Sequence, residues 1–278
     1  MQIRAIDISY CQPIVDFNKV KKSGISAAIV RNGYLGKTDT AWYENTQKAI
    51  DAGFDVGTFT YIWSNTPAQA AREAAETVQR LERFKGSISY PVFADMEDNK
   101  YLKPGYNKNS RTEILLTFLK TIERAGYYSA VYTNPSWLEN YIDKTQILGK
   151  YDIWLAAYTN SPDKPTRYNY GQVMWQWGAA PVSGIKGGPV DSDLVYIDYP
   201  ERIRAAGKNY LLSTKNVELA FAATIRAKPS AGSEKLGLLK AGEKCAVTYG
   251  TETKDPATGY IYIKLGGENK WIVKTAIK

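Results

Sequence analysis

Histidine is absent from all 278 residues. An imidazole is the base of Ser-His-Asp hydrolases and Cys-His peptidases and a ligand in the usual zinc hydrolases, so those chemistries fall together. Carboxylates are what remains for hydrolysis. Cysteine is scarce as well: Cys11 and Cys245 lie far apart and have no metal-ligand spacing. Neither a disulfide framework nor a metal site is expected, and nothing calls for a cofactor. No run approaches the ~18 apolar residues of a membrane-spanning helix, so no membrane insertion is expected. The start, MQIRAIDISY, lacks a basic segment followed by an apolar one. That predicts synthesis in the cytoplasm without a signal peptide, and action outside the cell would then need another agent to release the protein. Internal repeats and low-complexity tracts are also missing.

Aromatics, by contrast, are plentiful, with 21 Tyr and 7 Trp. Such an excess suits a surface that stacks on sugar rings or other flat amphipathic ligands, although part of it fills a core. Up to about residue 200 the chain reads as eight apolar, β-branched runs: 3–9, 27–33, 55–62, 90–97, 128–134, 151–159, 172–178 and 189–197. Helical patterns separate the early runs, at Phe17 to Ser23, Trp42 to Ala52, Pro67 to Phe84 and Ser110 to Ala125. Ser110 to Glu113 reads as a capping box. Strands alternating with helices imply a parallel sheet buried on both faces, and eight strands suffice to close it. After the fifth run the connections become rich in Pro and Gly. The expected fold is α/β, an irregular (β/α) barrel with fewer than eight helices. Its boundary is placed at 1–206, and residues 207–278 alternate in short strands between turns, as in a small all-β barrel.

Charge is divided unevenly. Residues 207–278 hold 12 basic and 6 acidic side chains, most of the net +8 of the chain. A cationic module favours polyanionic partners, whether nucleic acid, anionic lipid or an acidic cell-wall polymer. Nucleic acid is not expected as a partner, because no recognition helix or aromatic nucleic-acid signature is present.

Four carboxylates stand near strand ends: Asp7, Asp95, Glu97 and Asp191. In a barrel of this class that rim builds the active site. Asp95 and Glu97 are two residues apart, so on a strand their side chains share a face with Cα atoms about 6.6 Å apart. Two carboxylates that close relieve their repulsion when one keeps its proton, and Glu97, beside Met96 and Phe93, is the choice for that role. A carboxylic acid beside a carboxylate is the equipment for glycosidic cleavage. Taken alone, a D-x-E at a strand end is equally consistent with surface carboxylates or a metal site.

The motifs AIDIS, VRNG, VGTFTYIWS, VFADMED, AVYTN, IWLAAYT, MWQWG and VDSDLVY, in this order, resemble the glycoside hydrolase family 25 lysozymes of phage endolysins and bacterial autolysins. The resemblance covers roughly residues 4–200. It implies cleavage of the β-1,4 bond between N-acetylmuramic acid and N-acetylglucosamine in bacterial peptidoglycan. Carried over by position, Glu97 would be the general acid, Asp95 its partner in stabilising the transition state, and Asp7 and Asp191 the other acidic members, with Asp193 the alternative to Asp191. Tyr61, Tyr132, Trp154, Gln176 and Trp177 would line the sugar groove, although alternation is expected to bring only one of Trp175 and Trp177 to substrate. Many members have a histidine where this chain reads Tyr61, Ile62 and Trp63. The sequence leaves open whether water, a carboxylate or the substrate's acetamido oxygen attacks, and net retention with Asp95 steadying the acetamido group is the working expectation.

The tail, through IRAKPSAGSEKLGLLKAGEKCAV and KWIVKTAI, resembles bacterial SH3-type domains, modules that hold lytic enzymes on the wall. Tyr249, Tyr260, Tyr262 and Trp271 are its candidate wall contacts. Two other readings remain: a wall-carbohydrate-binding protein whose barrel has lost activity, and a chitinase-like glycosidase, whose longer acidic signature is missing.

Overall fold

The structure is a computed structural model that describes residues 2–266 and 268–278. It divides into two compact units, Met1–Ile203 and Arg204–Lys278.

Eight strands close the first unit into a barrel: β1 (Ile3–Ile8), β2 (Ala27–Tyr34), β3 (Asp55–Tyr61), β4 (Val92–Asp95), β5 (Ser129–Thr133), β6 (Ile153–Ala156), β7 (Met174–Ala180) and β8 (Val190–Val195). Neighbours from β1 to β7 pair in parallel. Strand β8 runs antiparallel to both β7 and β1 and closes the ring. The expectation of parallel strands therefore fails at the last one. A βα crossover needs a dozen or more residues, usually helical. The short Pro- and Gly-rich link between β7 and β8 instead turns the chain straight back. The reversal puts the start of β8, and with it Asp191, on the rim that holds the ends of the other strands.

Helices α1 (Phe17–Lys22), α2 (Trp42–Asp51), α3 (Pro67–Leu81) and α4 (Lys108–Arg124) follow the first four strands. Asp16 caps α1 and Thr66 caps α3, where Pro67 takes a first-turn position whose N–H needs no helical partner. The cap of α4 is Asn107, not Ser110: Asn107 Oδ1 accepts from Ser110 N, and Ser110 Oγ accepts from Asn107 N. The box thus lies three residues before the one read from sequence. A Glu at the third position is not required when a serine hydroxyl closes the same ring of hydrogen bonds. After β5 only a π-helical turn, Trp137–Tyr141, and a 3-10 turn remain before β6. A last helix, α5 (Tyr199–Ala205), follows β8.

The strands are buried along almost their whole length, as sequence runs without polar alternation require. Gly57 marks the tightest point. A Cβ there would stand 2.7 Å from Tyr90 Cβ and 3.1 Å from Pro91 O. Backbone cannot yield as a flexible side chain does, so Gly57→Ala is expected to lower stability by about 1–3 kcal/mol, read from the urea midpoint. An unchanged midpoint would show that the β3–β4 contact is looser than this.

The second unit is a six-stranded antiparallel sheet: β9 (Ser213–Glu218), β10 (Ala223–Arg226), β11 (Lys235–Leu239), β12 (Lys244–Lys254), β13 (Ile261–Leu265) and β14 (Trp271–Val273), in the order β9-β12-β13-β14-β10-β11. Its core is small: Leu219, Ala223, Val247, Ile263, Ile272 and Ala276. Tyr262 and Trp271, two of the candidate wall contacts, are 4% and 8% exposed and belong largely to the interior. So small a unit needs large side chains to exclude water, which leaves those two little free surface. Tyr249 also packs against the core, with the ammonium groups of Lys215 and Lys274 over its ring. Tyr260, 55% exposed, has a free face.

Candidate active site

Register explains which side chains meet. Tyr61, Asp95, Tyr132 and Trp154 are successive Cα partners across β3, β4, β5 and β6, so they form one rung at the barrel mouth. Asp7 on β1 pairs with Asp191 on β8. Around them opens a cleft of about 300 Å³, which Asp7, Asp95, Glu97 and Asp191 line together with Tyr61, Tyr132, Trp154 and Gln176. Phe59 and Phe93 pack edge-on against Trp154 and support its floor.

Glu97 does not sit on the strand. Strand β4 ends at Asp95, and Glu97 belongs to the irregular segment that follows. The strand spacing inferred from sequence therefore does not apply, and the two carboxylates meet because the chain turns over the rim. Glu97 remains half-buried, whereas Asp95 is 3% exposed and its Oδ1 has no hydrogen-bond partner among the described residues.

Burial and mutual repulsion both act on this cluster. For Asp95, burial comes first, then the charges of Glu97 and Asp7, and together they hold its pKa well above the carboxylate range against the pull of Arg31. Burial and then Asp191 raise Glu97, while a hydrogen bond from Asn134 opposes the rise. Asp7 is pushed well up by burial and by Asp191, although Gln176 Nε2 donates to its Oδ2 at 2.8 Å. Asp191 is raised by burial. Such a cluster retains protons at pH values where isolated carboxyls have lost them, which fits it for proton donation.

Asp193 lies under the cleft, not in its wall. A bulge between Ser192 and Asp193 shifts the register, and the residue is 1% exposed. Its Oδ1 accepts from Trp154 Nε1 at 2.7 Å, and burial and then the charge of Asp7 raise its pKa well above the carboxylate range. Asp191 and Asp193 thus hold different positions, one lining the cleft and the other buried outside its lining, where it holds the Trp154 indole.

Trp177 is not in the groove. Trp175 and Trp177 are two apart on β7 and leave the same face, so alternation cannot divide them between two faces. Both pack with Leu194, and Trp175 Nε1 donates to Ala157 O at 2.9 Å. Gln176, between them, turns the opposite way into the cleft. Its Oε1 accepts from both Tyr132 and Tyr158 at 2.9 Å.

Several cleft residues were not singled out from sequence. Arg31 and Tyr34 line it, and the guanidinium lies 4.3 Å from the Tyr34 ring centroid and bonds Asp39 Oδ2 through Nε at 2.7 Å. Its Nη2 is buried without a partner among the described residues. Tyr158 closes another side, and Asp98 accepts from the Tyr61 hydroxyl at 2.9 Å. All fall in or beside motifs already noted, but a motif does not show which members point inward. Among the described residues, no group of three or more His, Cys, Asp or Glu is placed to hold a metal.

A model of the family described as glycosyl hydrolases family 25 matches residues 6–184. The autolytic lysozyme of Clostridium acetobutylicum is 24% identical over 188 residues, 66% of this chain and 53% of that protein. A D-alanyl-L-alanine endopeptidase of a Streptococcus phage is 27% identical over 271 residues, 87% of this chain and 58% of that one. The chain thus spans little more than half the length of either. Among solved structures, the modular autolysin LytC from Streptococcus pneumoniae in complex with a synthetic peptidoglycan ligand superposes with TM-score 0.61 at 28% identity, covering 70% of this chain and 47% of that one. The catalytic domain of an endolysin from a bacteriophage of Listeria monocytogenes, at 21% identity, shares the fold with TM-score 0.59 over 73% of this chain and 98% of its own.

Proposed function

This chain belongs to glycosyl hydrolases family 25, and on that premise we propose that it cleaves the β-1,4 bond between N-acetylmuramic acid and N-acetylglucosamine in bacterial peptidoglycan. The supporting observation is the gathering of Asp7, Asp95, Glu97 and Asp191 around one cleft walled by Tyr61, Tyr132 and Trp154. Glu97, the carboxyl raised by burial yet still partly open to the cleft, donates the proton to the leaving oxygen. Asp95 supports the positive charge that develops at the sugar. Asp7 and Asp191 complete the acidic wall, and the tyrosine and tryptophan rings give sugar faces a surface to stack on.

Incubation of the protein with purified Gram-positive walls tests the reaction class. Turbidity is expected to fall as reducing ends appear. Release of amino groups in their place, the product of peptide cleavage, would overturn the reading.

Residues 207–278 serve in this proposal as an SH3-type module that holds the enzyme on the wall, and residues 1–206 carry the reaction. Its excess of six positive charges suits anionic wall polymers, with Tyr260 offering the most open ring. Removal of residues 207–278 is expected to weaken wall binding, and the difference from the full chain should shrink as salt rises from about 0.05 to 0.5 M. Equal binding by both forms at every salt concentration would remove the module from targeting.

A further inference from the structure

A second pocket, of about 540 Å³, opens on the same rim as the cleft, between the loop that follows β5 and the loop that follows β6. The two spaces share Tyr158, which lines both and is 62% exposed. Asn134, which lines the second pocket, also acts on the Glu97 carboxyl and holds its pKa down.

Their electrostatic character is opposite. Four carboxylates line the cleft, whereas the second pocket holds Lys164 and Arg167 and no Asp or Glu. Neither cation forms an ion pair among the described residues. Arg167 is held by neutral groups: one terminal nitrogen donates to the Tyr168 hydroxyl at 2.8 Å, and the guanidinium lies 4.9 Å from that ring's centroid. Tyr168 in turn stacks on Tyr170 with the planes 11° apart. Pro165 stiffens the loop between the two cations. Two cations without an ion-pair partner among the described residues, beside an acidic cleft, suit a carboxylate ligand.

We propose that this pocket receives the carboxylate-bearing peptide stem of the muramoyl residue whose glycosidic bond lies in the cleft. The inference rests on the muramidase reading above and deepens it. Muramic acid differs from N-acetylglucosamine by the lactyl ether at O3, and the stem that grows from it carries free carboxylates. The acidic cleft disfavours those groups, and the adjoining cationic pocket takes the charge of the stem as the sugar enters. Binding there distinguishes muramoyl from glucosaminyl units by what hangs from the ring, and it gains affinity from a part of the substrate remote from the reacting bond.

The test compares kcat/KM, from reducing ends, on two substrates free of teichoic acid: glycan that keeps its stems, and the same glycan after an amidase has removed them and left each muramoyl unit with its lactyl carboxylate alone. Wild type is expected to favour the stem-bearing glycan by about tenfold, from two solvent-facing charge contacts. In Lys164→Ala/Arg167→Ala that ratio should fall toward one, the loss entering through KM, while Lys164→Arg/Arg167→Lys restores it. A ratio equal in wild type and the alanine variant, whatever the absolute rates, overturns the proposal. A preference that arises only when teichoic acid is left on the wall overturns it in favour of a phosphate ligand. If wild type releases reducing ends from neither substrate, the muramidase reading fails and this inference with it.

Discussion

Glu97→Gln is expected to cut the release of reducing ends from purified walls by about 10²- to 10⁴-fold, the range over which a positioned proton donor contributes. The amide keeps the size and much of the hydrogen bonding of the acid but has no proton to give to a leaving oxygen. Because Glu97 is half-buried and stands beyond the end of β4, the substitution should leave the barrel folded and able to bind walls, which a pelleting assay reads separately. The pH profile carries a second part of the expectation. Burial and Asp191 raise Glu97 above its ordinary 4.5, so the proton survives to a higher pH than an isolated glutamic acid would allow. Activity should decline as pH rises through that elevated pKa. The acidic limb reports the coupled cluster of Asp7, Asp95 and Asp191, all raised, and should also lie above the ordinary carboxylate range. Lysis that persists unchanged in the variant would take the role of acid away from Glu97.

Asp95→Asn should move activity and stability in opposite directions. Asp95 is buried, its Oδ1 unpartnered, beside the charges of Glu97 and Asp7. Its ionised form is strained in the folded protein and comfortable in the unfolded one. With the folded pKa above the ordinary 3.8, the folded state binds the proton more tightly, and stability is lost as pH rises through the folded value. An amide mimics the protonated acid at every pH. The variant should therefore gain about 1 kcal/mol over wild type at pH 7, in urea unfolding, with the gain vanishing below about pH 4. Activity should fall by at least about 10²-fold, because the group proposed to support charge on the sugar is gone. A variant less stable than wild type at pH 7 would show that the carboxylate has compensating contacts and would defeat the argument.

Much of this could be read along the chain. The eight strands follow from apolar β-branched runs, since a strand buried on both faces has to be apolar at successive positions. The four carboxylates followed from their place at the ends of those runs. Three features escaped for physical reasons. The direction of β8 depends on what its loop can span, so Asp191 could be placed near the site but not explained there. Trp175 and Trp177 share a face by parity, yet which face of β7 looks inward is settled by the neighbours; the interior took Gln176, which Tyr132, Tyr158 and Asp7 all engage. Tyr262 and Trp271 looked like binding aromatics because a sequence does not distinguish a ring that packs from one that projects.

Composition and order alone determined the kind of chemistry: without histidine, hydrolysis has to rest on carboxylates, and the succession of motifs marks the family in which they are used. Tertiary structure decided what each carboxylate experiences. Proton affinity depends on burial and on charges brought close by strand pairing, and Asp7 meets Asp191 across 184 residues of chain only when the barrel closes. The same closure sets an acidic cleft beside a cationic pocket, a juxtaposition of loops that no local pattern of residues encodes.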